Sequence, residues 1–234
     1  MLSTLMIRIM ARERGLKVLA IDADSAVSLA YTLGASGAKS LSDVRTELIN
    51  DPDARKKAMG SHIRDVVAGM LQSRDGFDLL VMGRPEGPGC FCSLNDLLRY
   101  GIETLSGEYD VTIVDGEAGP EQINRRVMRS IDHLVILTDT SARGFRTAEV
   151  IGAIAGSGGT TNLKQSGLVI NRLTANSRKA VEAAENLNQE IFGTIPEDQY
   201  VTDHDLSGAP ILELPDIAPS VDAVRQIVAK IGLS

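Results

Sequence analysis

Apolar residues follow two rhythms along this chain. Leu2, Leu5, Met6, Ile9 and Met10 recur at the spacing of one helix face. Gly15 stands where glycine often closes a helix. Continuous apolar runs then follow at 17–22, 78–83, 111–116, 133–138, 167–171 and 192–196. Runs of Val, Ile and Leu without polar alternation suit strands buried on both faces, as in a parallel sheet. Helical patterns lie between them, at 52–73, 93–105, 120–131, 143–155 and 178–190. Near the C-terminus Val221, Val224, Ile227, Val228 and Ile231 form the core face of one more helix. Alternation of this kind predicts an α/β fold: a doubly wound, mostly parallel sheet with helices on both faces. The predicted domain organisation is one unit spanning 1–234.

Sheets of this type bind ligands at the carboxyl ends of their strands. The residues there are Asp22 and Asp24, the loop after Gly83, Asp115 and Gly116, Asp139, Asn171 and Pro196. Aspartates at strand ends also cap the helices that follow them. Asp22, Asp24 and Asp115 taken together favour a Mg²⁺ site, because Mg²⁺ takes oxygen ligands and keeps several waters.

Composition narrows the classes. The formal net charge of −7 disfavours sequence-independent nucleic-acid binding, which runs on clustered Lys and Arg. No apolar stretch approaches the length of a transmembrane helix, so no membrane association is expected. Arg8, within the first apolar segment, argues against a secretory signal. With only two cysteines, a reducing, cytoplasmic setting is expected. The Gly-rich tract at 156–161 reads as a loop. His62, His133 and His204 are scattered and read as surface or strand-end residues. Arg143, Arg146 and Thr147, just after the run at 133–138, read as helix surface.

Both cysteines, Cys90 and Cys92, fall in the segment GRPEGPGCFCSLNDLLR at 83–99. In an extended backbone, residues two apart share a face. Their Cα atoms then sit about 6–7 Å apart, from a rise of ~3.3 Å per residue. That spacing suits a disulfide poorly. Two thiolates on one face suit a soft metal ion such as Ni²⁺ or Zn²⁺. A closed site wants four sulfurs, and a two-fold homodimer supplies the second pair by symmetry. Free cysteines also serve as small buried hydrophobes. Here Pro85, Gly87, Pro88 and Gly89 place the pair in a loop, where function concentrates.

The ordered set IDADS at 21–25, VTIVDGEAG at 111–119, VINR at 169–172 and GTIPED at 193–198 resembles the Min/Par-type ATPases with the deviant Walker A loop. With GRPEGPGCFC added, the chain is similar to the CooC-type accessory ATPases, which help insert nickel into carbon monoxide dehydrogenase. The resemblance implies a phosphate-loop NTPase-like fold and ATP or ADP bound with Mg²⁺. It implies that Asp22 and Asp24 form the first acidic switch, holding Mg²⁺ and orienting the attacking water. Ser25 stands where that stretch usually has proline. Asp115 matches the Walker B aspartate, and Gly119 the second switch, which senses the γ-phosphate. Asn171 matches the residue that reads the adenine edge. Arg172 stands beside it, and Pro196 and Glu197 match the loop packed against the base. Cys90 and Cys92 match the motif that holds metal between two protomers, and the implied client is carbon monoxide dehydrogenase or a related nickel enzyme.

One departure is large. The family opens with a strand and a loop of the form GKGGVGKTT, whose amides and lysines hold the phosphates. No GxxxxGK[ST] occurs in these 234 residues, and MLSTLMIRIM resembles the helix just after that loop. The expectation is a fold lacking its first strand and loop, from a native protein longer by those elements. Without them ATP turnover by these residues is expected to be slower by several orders of magnitude, because phosphoryl transfer is almost entirely positioning and charge stabilisation. Other readings are a catalytically silent metal-binding or scaffold protein, a Par-type DNA-segregation ATPase and an iron–sulfur reductase relative. The acidic charge and the Cys-x-Cys loop disfavour the second of these. The last calls for two well-separated cysteines per protomer.

Overall fold

The computed structural model describes the chain except residues 54–55, 57–61, 85–91, 120–129, 160, 188 and 234. Its contacts group into two compact units, Met1–Glu117 and Ala118–Ser234, taken here in turn.

The first unit begins with α1 (Leu2–Arg8), which runs on as a π-helical segment to Glu13. The five residues of its periodic apolar stripe are all buried. Thr4 is buried with them, its hydroxyl satisfied by Thr32 at 2.7 Å. Gly15, at φ +67°, turns the chain back as expected. Next come β1 (Val18–Asp22), α2 (Ser28–Thr32), α3 (Leu41–Asn50), α4 (Ile63–Ala68), β2 (Gln72–Arg74), β3 (Phe77–Val81), α5 (Cys92–Leu105) and β4 (Val111–Asp115). The sheet order is β2-β3-β1-β4. All five residues of β1 are buried, and the strand is paired in parallel on both edges. Its register sets Asp22 level with Val81 and with Asp115.

β2, α2 and α3 are the elements of this unit that differ from the pattern reading. Of the helix expected over 52–73, the described part holds Pro52–Asp53, Lys56 and α4 in helical form, and the chain then forms β2. The cause is Asp75-Gly76, a two-residue hairpin turn with Gly76 at φ +87°, which returns β2 antiparallel to β3. The short helices α2 and α3 were not foreseen. α3 starts with a capping box: the Ser40 side chain accepts from the Asp43 amide, and Asp43 accepts from the Ser40 amide. The helix expected at 120–131 lies almost wholly outside the described residues.

The second unit holds β5 (His133–Thr138), α6 (Ala142–Ile154), β6 (Gln165–Leu173), α7 (Arg178–Glu185), β7 (Glu190–Pro196), α8 (Gln199–Ser207) and α9 (Pro219–Lys230). Its sheet is parallel, in the order β5-β6-β7. Ile136, Leu168 and Ile170 of the strands meet Phe145 and Ala148 of α6 and Ala184 of α7 in one core cluster. The tract expected as a loop at 156–161 opens instead with a π-helical turn, Ala155–Gly159. The five periodic apolar residues of the C-terminal segment are buried as expected. α8 was not foreseen, since it has no apolar stripe: none of its residues is buried.

The two sheets together confirm the α/β class, with parallel pairing everywhere except β2 against β3. Among the described residues β4 hydrogen-bonds only β1, and β5 only β6. Both outer strands are only partly covered, and Leu137 of β5 is exposed.

Gly83 sits at φ +73°, and a Cβ there would lie 2.3 Å from Ser40 Oγ and 2.5 Å from Ser40 Cβ. The strand end is thus held against the start of α3, where the Ser42 amide also donates to Met82 O at 3.1 Å. Replacing Gly83 by Ala imposes both left-handed strain and a clash, costing on the order of 2 kcal/mol. The expected result is a fall in melting temperature of about 5 °C, read by circular dichroism. An unchanged melt would show that this close approach is absent.

Candidate functional site

The strand ends of the first unit gather three of the expected acids. Asp22 and Asp115 are register neighbours on β1 and β4, and the Ala23 amide donates to Asp115 O at 2.9 Å. Asp24 follows two residues on. The side chains, however, do not turn toward a common point. Asp22 accepts from the Ala30 amide at 2.9 Å and from the Asp24 amide at 3.2 Å. Asp24 accepts from the Ala26 amide at 2.9 Å and, at a long 3.4 Å, from the Ser28 hydroxyl. Asp115 takes the Ser3 hydroxyl at 2.5 Å. Accordingly, no group of three metal-binding side chains forms among the described residues. A helix-capping role is realised at Asp22, whose carboxylate takes the Ala30 amide in the first turn of α2, while Asp24 folds the loop that leads there.

Such a set still fits a magnesium ion bound the usual way, through one or two carboxylates plus waters and phosphates. Asp24 and Asp115 are the half-exposed members of the three and supply the hard oxygens this needs. Asp22 is fully buried. Burial pushes its carboxyl up to about 6, helped by the charges of Asp115 and Asp24 and opposed by the Ala30 and Asp24 amides. Ser3 is the contributor that pattern reading missed. It lies off the apolar stripe of α1, and only the fold brings it to β4.

The second unit gathers the other expected group. β6 bulges between Ile170 and Leu173, and Leu173 then pairs with Pro196. The Glu197 amide donates to Leu173 O at 3.0 Å. This brings Asn171 and Arg172 beside Pro196 and Glu197 at neighbouring strand ends. Arg172 is at φ +57°, and its amide donates to Asn171 Oδ1 at 3.0 Å. Val27, in the loop after Asp24, is at φ +56°. A left-handed arginine and a left-handed β-branched valine each cost about 1–3 kcal/mol, and such strain collects where function holds the backbone in place.

Asp198 was not singled out in the sequence. It is buried and accepts from the Tyr200 amide at 2.9 Å and the Ser220 amide at 2.8 Å, so one carboxylate holds the starts of α8 and α9. A signal was present, since Asp in Pro-Glu-Asp precedes a new helix. Asp139, at the end of β5, accepts from the Ser141 hydroxyl at 2.5 Å and amide at 2.9 Å, and these hold its carboxyl below the usual range. Ser141 in turn accepts from the Gly144 amide and caps α6. Arg143 and Arg146 are exposed helix surface, as expected.

Gly119 has φ +98° and is the last described residue before 120–129. Cys90 lies outside the described residues, and Cys92 is the first residue of α5. No described helix is long and apolar enough to cross a membrane.

The sign of the Asp22 shift gives a test. Its folded value lies above the unfolded 3.8, so its charge opposes folding once ionised. Stability therefore falls as pH rises from about 4 to about 6 and levels off above, by roughly 2–3 kcal/mol at most. In Asp22→Asn that part of the pH dependence is absent. The melting-temperature gap between the variant and the wild type is expected to open, in the variant's favour, between pH ~4 and ~6. A gap constant with pH would contradict the burial of this charge.

Comparison with known proteins supplies the family. The model of the CobQ/CobB/MinD/ParA nucleotide binding domain matches residues 1–211. An uncharacterized ATP-binding protein of Methanocaldococcus jannaschii is 31% identical over 234 residues, covering 98% of this chain and 92% of that protein. The carbon monoxide dehydrogenase accessory protein CooC of Rhodospirillum rubrum is 29% identical over 157 residues, covering 61% of this chain and 59% of CooC. Among solved structures, MinD in the MinC:MinD cell division complex of Aquifex aeolicus shares the fold. Its TM-score is 0.70 at 22% identity, covering 100% of this chain and 89% of that one.

Proposed function

The chain belongs to the CobQ/CobB/MinD/ParA nucleotide binding domain family, and on that footing we propose that it is an ATP-dependent accessory factor that handles nickel for a partner metalloenzyme. The observation that carries the nucleotide part is the grouping of acids at the ends of β1 and β4 beside α1, with Asn171 and Arg172 against Pro196 and Glu197 in the second unit. The observation that carries the metal part is Cys90-Phe91-Cys92, together with the partial likeness to CooC.

In this proposal Asp24 and Asp115 hold the magnesium of Mg-ATP, directly or through water, and Ser3 keeps Asp115 oriented. The magnesium supplies charge neutralisation at the phosphates. Asp22 holds the loop that carries Asp24, and through that loop the pair sets where Asp24 would position the attacking water. Gly119 lets the backbone approach the γ-phosphate side. Asn171 hydrogen-bonds the adenine edge, and Arg172, Pro196 and Glu197 frame the base. Nickel is cargo. Cys90 and Cys92 of two identical subunits offer four thiolates to one ion, and the client is carbon monoxide dehydrogenase or a related nickel enzyme.

A second reading has a specific observation in its favour. The Asp22 and Asp24 carboxylates are engaged by amides of their own loop and of α2. The chain would then carry metal without turning over ATP.

Equilibrium dialysis with Ni²⁺ under reducing conditions is expected to give about one ion per two chains, with thiolate-to-nickel charge-transfer absorbance. Cys90→Ser/Cys92→Ser is expected to lose both. Metal binding unchanged in the double variant would end the nickel proposal. Calorimetry with Mg-ATP separates the readings. Binding that weakens about tenfold in Asn171→Ala supports the ATP-dependent factor, and absence of binding together with retained nickel supports the carrier.

A further inference from the structure

A cavity of about 450 Å³ in the second unit, walled by α7, β7 and α9, has no part in that proposal. Gly193 brings α9 down onto β7: a Cβ there would lie 2.6 Å from Ile227 Cγ1. Nearer the start of the strand, the Lys230 ammonium donates to Ile191 O. α9 therefore runs antiparallel to β7, and its last residue lies where β7 begins. α7 runs the same way, because it returns the chain between the parallel strands β6 and β7. Its last residue, Glu185, comes to that same end of the cavity.

β7 is irregular where it walls the cavity. Leu168 pairs with Ile191 and Val169 with Gly193, which leaves Phe192 as an extra residue in β7. Such bulges are over-represented beside functional sites. The walls are also divided in character. Val181, Ile191 and Ile227 offer an aliphatic surface. Glu185 and Lys230 are exposed at one end of it. Glu185 has no hydrogen-bond or ion-pair partner among the described residues. Lys230 spends one N–H on Ile191 O and keeps two. The volume falls within the roughly 300–1,000 Å³ of small-molecule sites, which join an apolar lining to a few placed polar groups.

Charge complementarity selects the occupant. An acid and a base at one end of an aliphatic hollow call for a guest with both charges at one end and an apolar remainder. An α-amino acid has that form: ammonium and carboxylate on one carbon, with the side chain leading away. A guest of one charge leaves either Glu185 or Lys230 unanswered. We propose that this cavity binds a free α-amino acid with an aliphatic side chain. Its ammonium meets Glu185, its carboxylate meets Lys230, and its side chain lies against Val181, Ile191 and Ile227. The site is at the start of β7, whereas Pro196 and Glu197 stand at the other end of that strand. It uses none of the residues assigned to nucleotide or nickel, so the two readings fail separately.

The test is a chemical-shift titration of the isotope-labelled full chain with L-leucine and two singly charged analogues. These are 4-methylpentanoate, which lacks the ammonium, and 3-methylbutylamine, which lacks the carboxylate. Saturable shifts in α7, β7 and α9 with leucine, at a Kd of about 0.1–1 mM, are expected. Each analogue is expected to bind about tenfold more weakly, through loss of one charge-assisted contact. Glu185→Gln is expected to weaken leucine about tenfold and leave 4-methylpentanoate unchanged. Lys230→Met is expected to weaken leucine similarly and leave 3-methylbutylamine unchanged. Glu185 is exposed and unpaired, so Glu185→Gln should melt as the wild type does. Should Lys230→Met melt lower, Glu185→Gln with the two analogues carries the test alone. Absence of saturable shifts with leucine overturns the proposal. So does an analogue that binds as tightly as leucine, or leucine binding by Glu185→Gln at the wild-type level.

Discussion

The first unit is organised around a carboxylate shut away from bulk solvent. Asp22 ends a strand buried along its whole length, and its oxygens are met by the Asp24 amide of the loop that leaves the strand and the Ala30 amide of α2. Burying an isolated carboxylate is costly, and hydrogen bonds to its charged form offset part of that cost. The compensation is incomplete, since the carboxyl is still pushed up to about 6. The loop geometry, the start of α2 and the placement of Asp24 all follow from keeping those amides in reach. Asp115 is drawn into the same arrangement through the Ala23 amide, and Ser3 through Asp115. A chain of contacts from the first helix to the fourth strand therefore converges on one unfavourably buried charge.

The strands were legible because their signal is simple. β1, β3, β4, β5 and β7 are short apolar runs, and a parallel sheet needs no alternation. β2 was missed although Asp75-Gly76 announces its turn, because three residues of Gln, Ser and Arg carry no hydrophobic pattern. α3 was missed although Ser40 and Asp43 spell its cap, and α8 because its exposed surface has no period to read. Continuity and period report burial; elements held by hydrogen bonds alone leave only cap and turn residues as a trace.

The candidate site shows the same division. The strand-end rule selected Asp22, Asp115, Asn171 and Pro196, and the register makes Asp22 and Asp115 neighbours and sets Leu173 against Pro196. Where the carboxylate oxygens point was not legible. That depends on which backbone amides the next helix presents, and on a serine more than a hundred positions away. The backward twist of Arg172 was equally hidden, because the bulge in β6 that imposes it arises from pairing with β7.

Asp198 closes off a pair of helix starts that would otherwise be open to solutes. Free amides at the head of a helix attract anions, but here the Tyr200 and Ser220 amides already share an internal counter-charge. Ser141, backed by Asp139, does the same at the head of α6. Three helices of the second unit, α6, α8 and α9, have thus committed their first-turn amides to holding its own turns. An anionic group arriving at those helix starts meets satisfied donors and a resident negative charge.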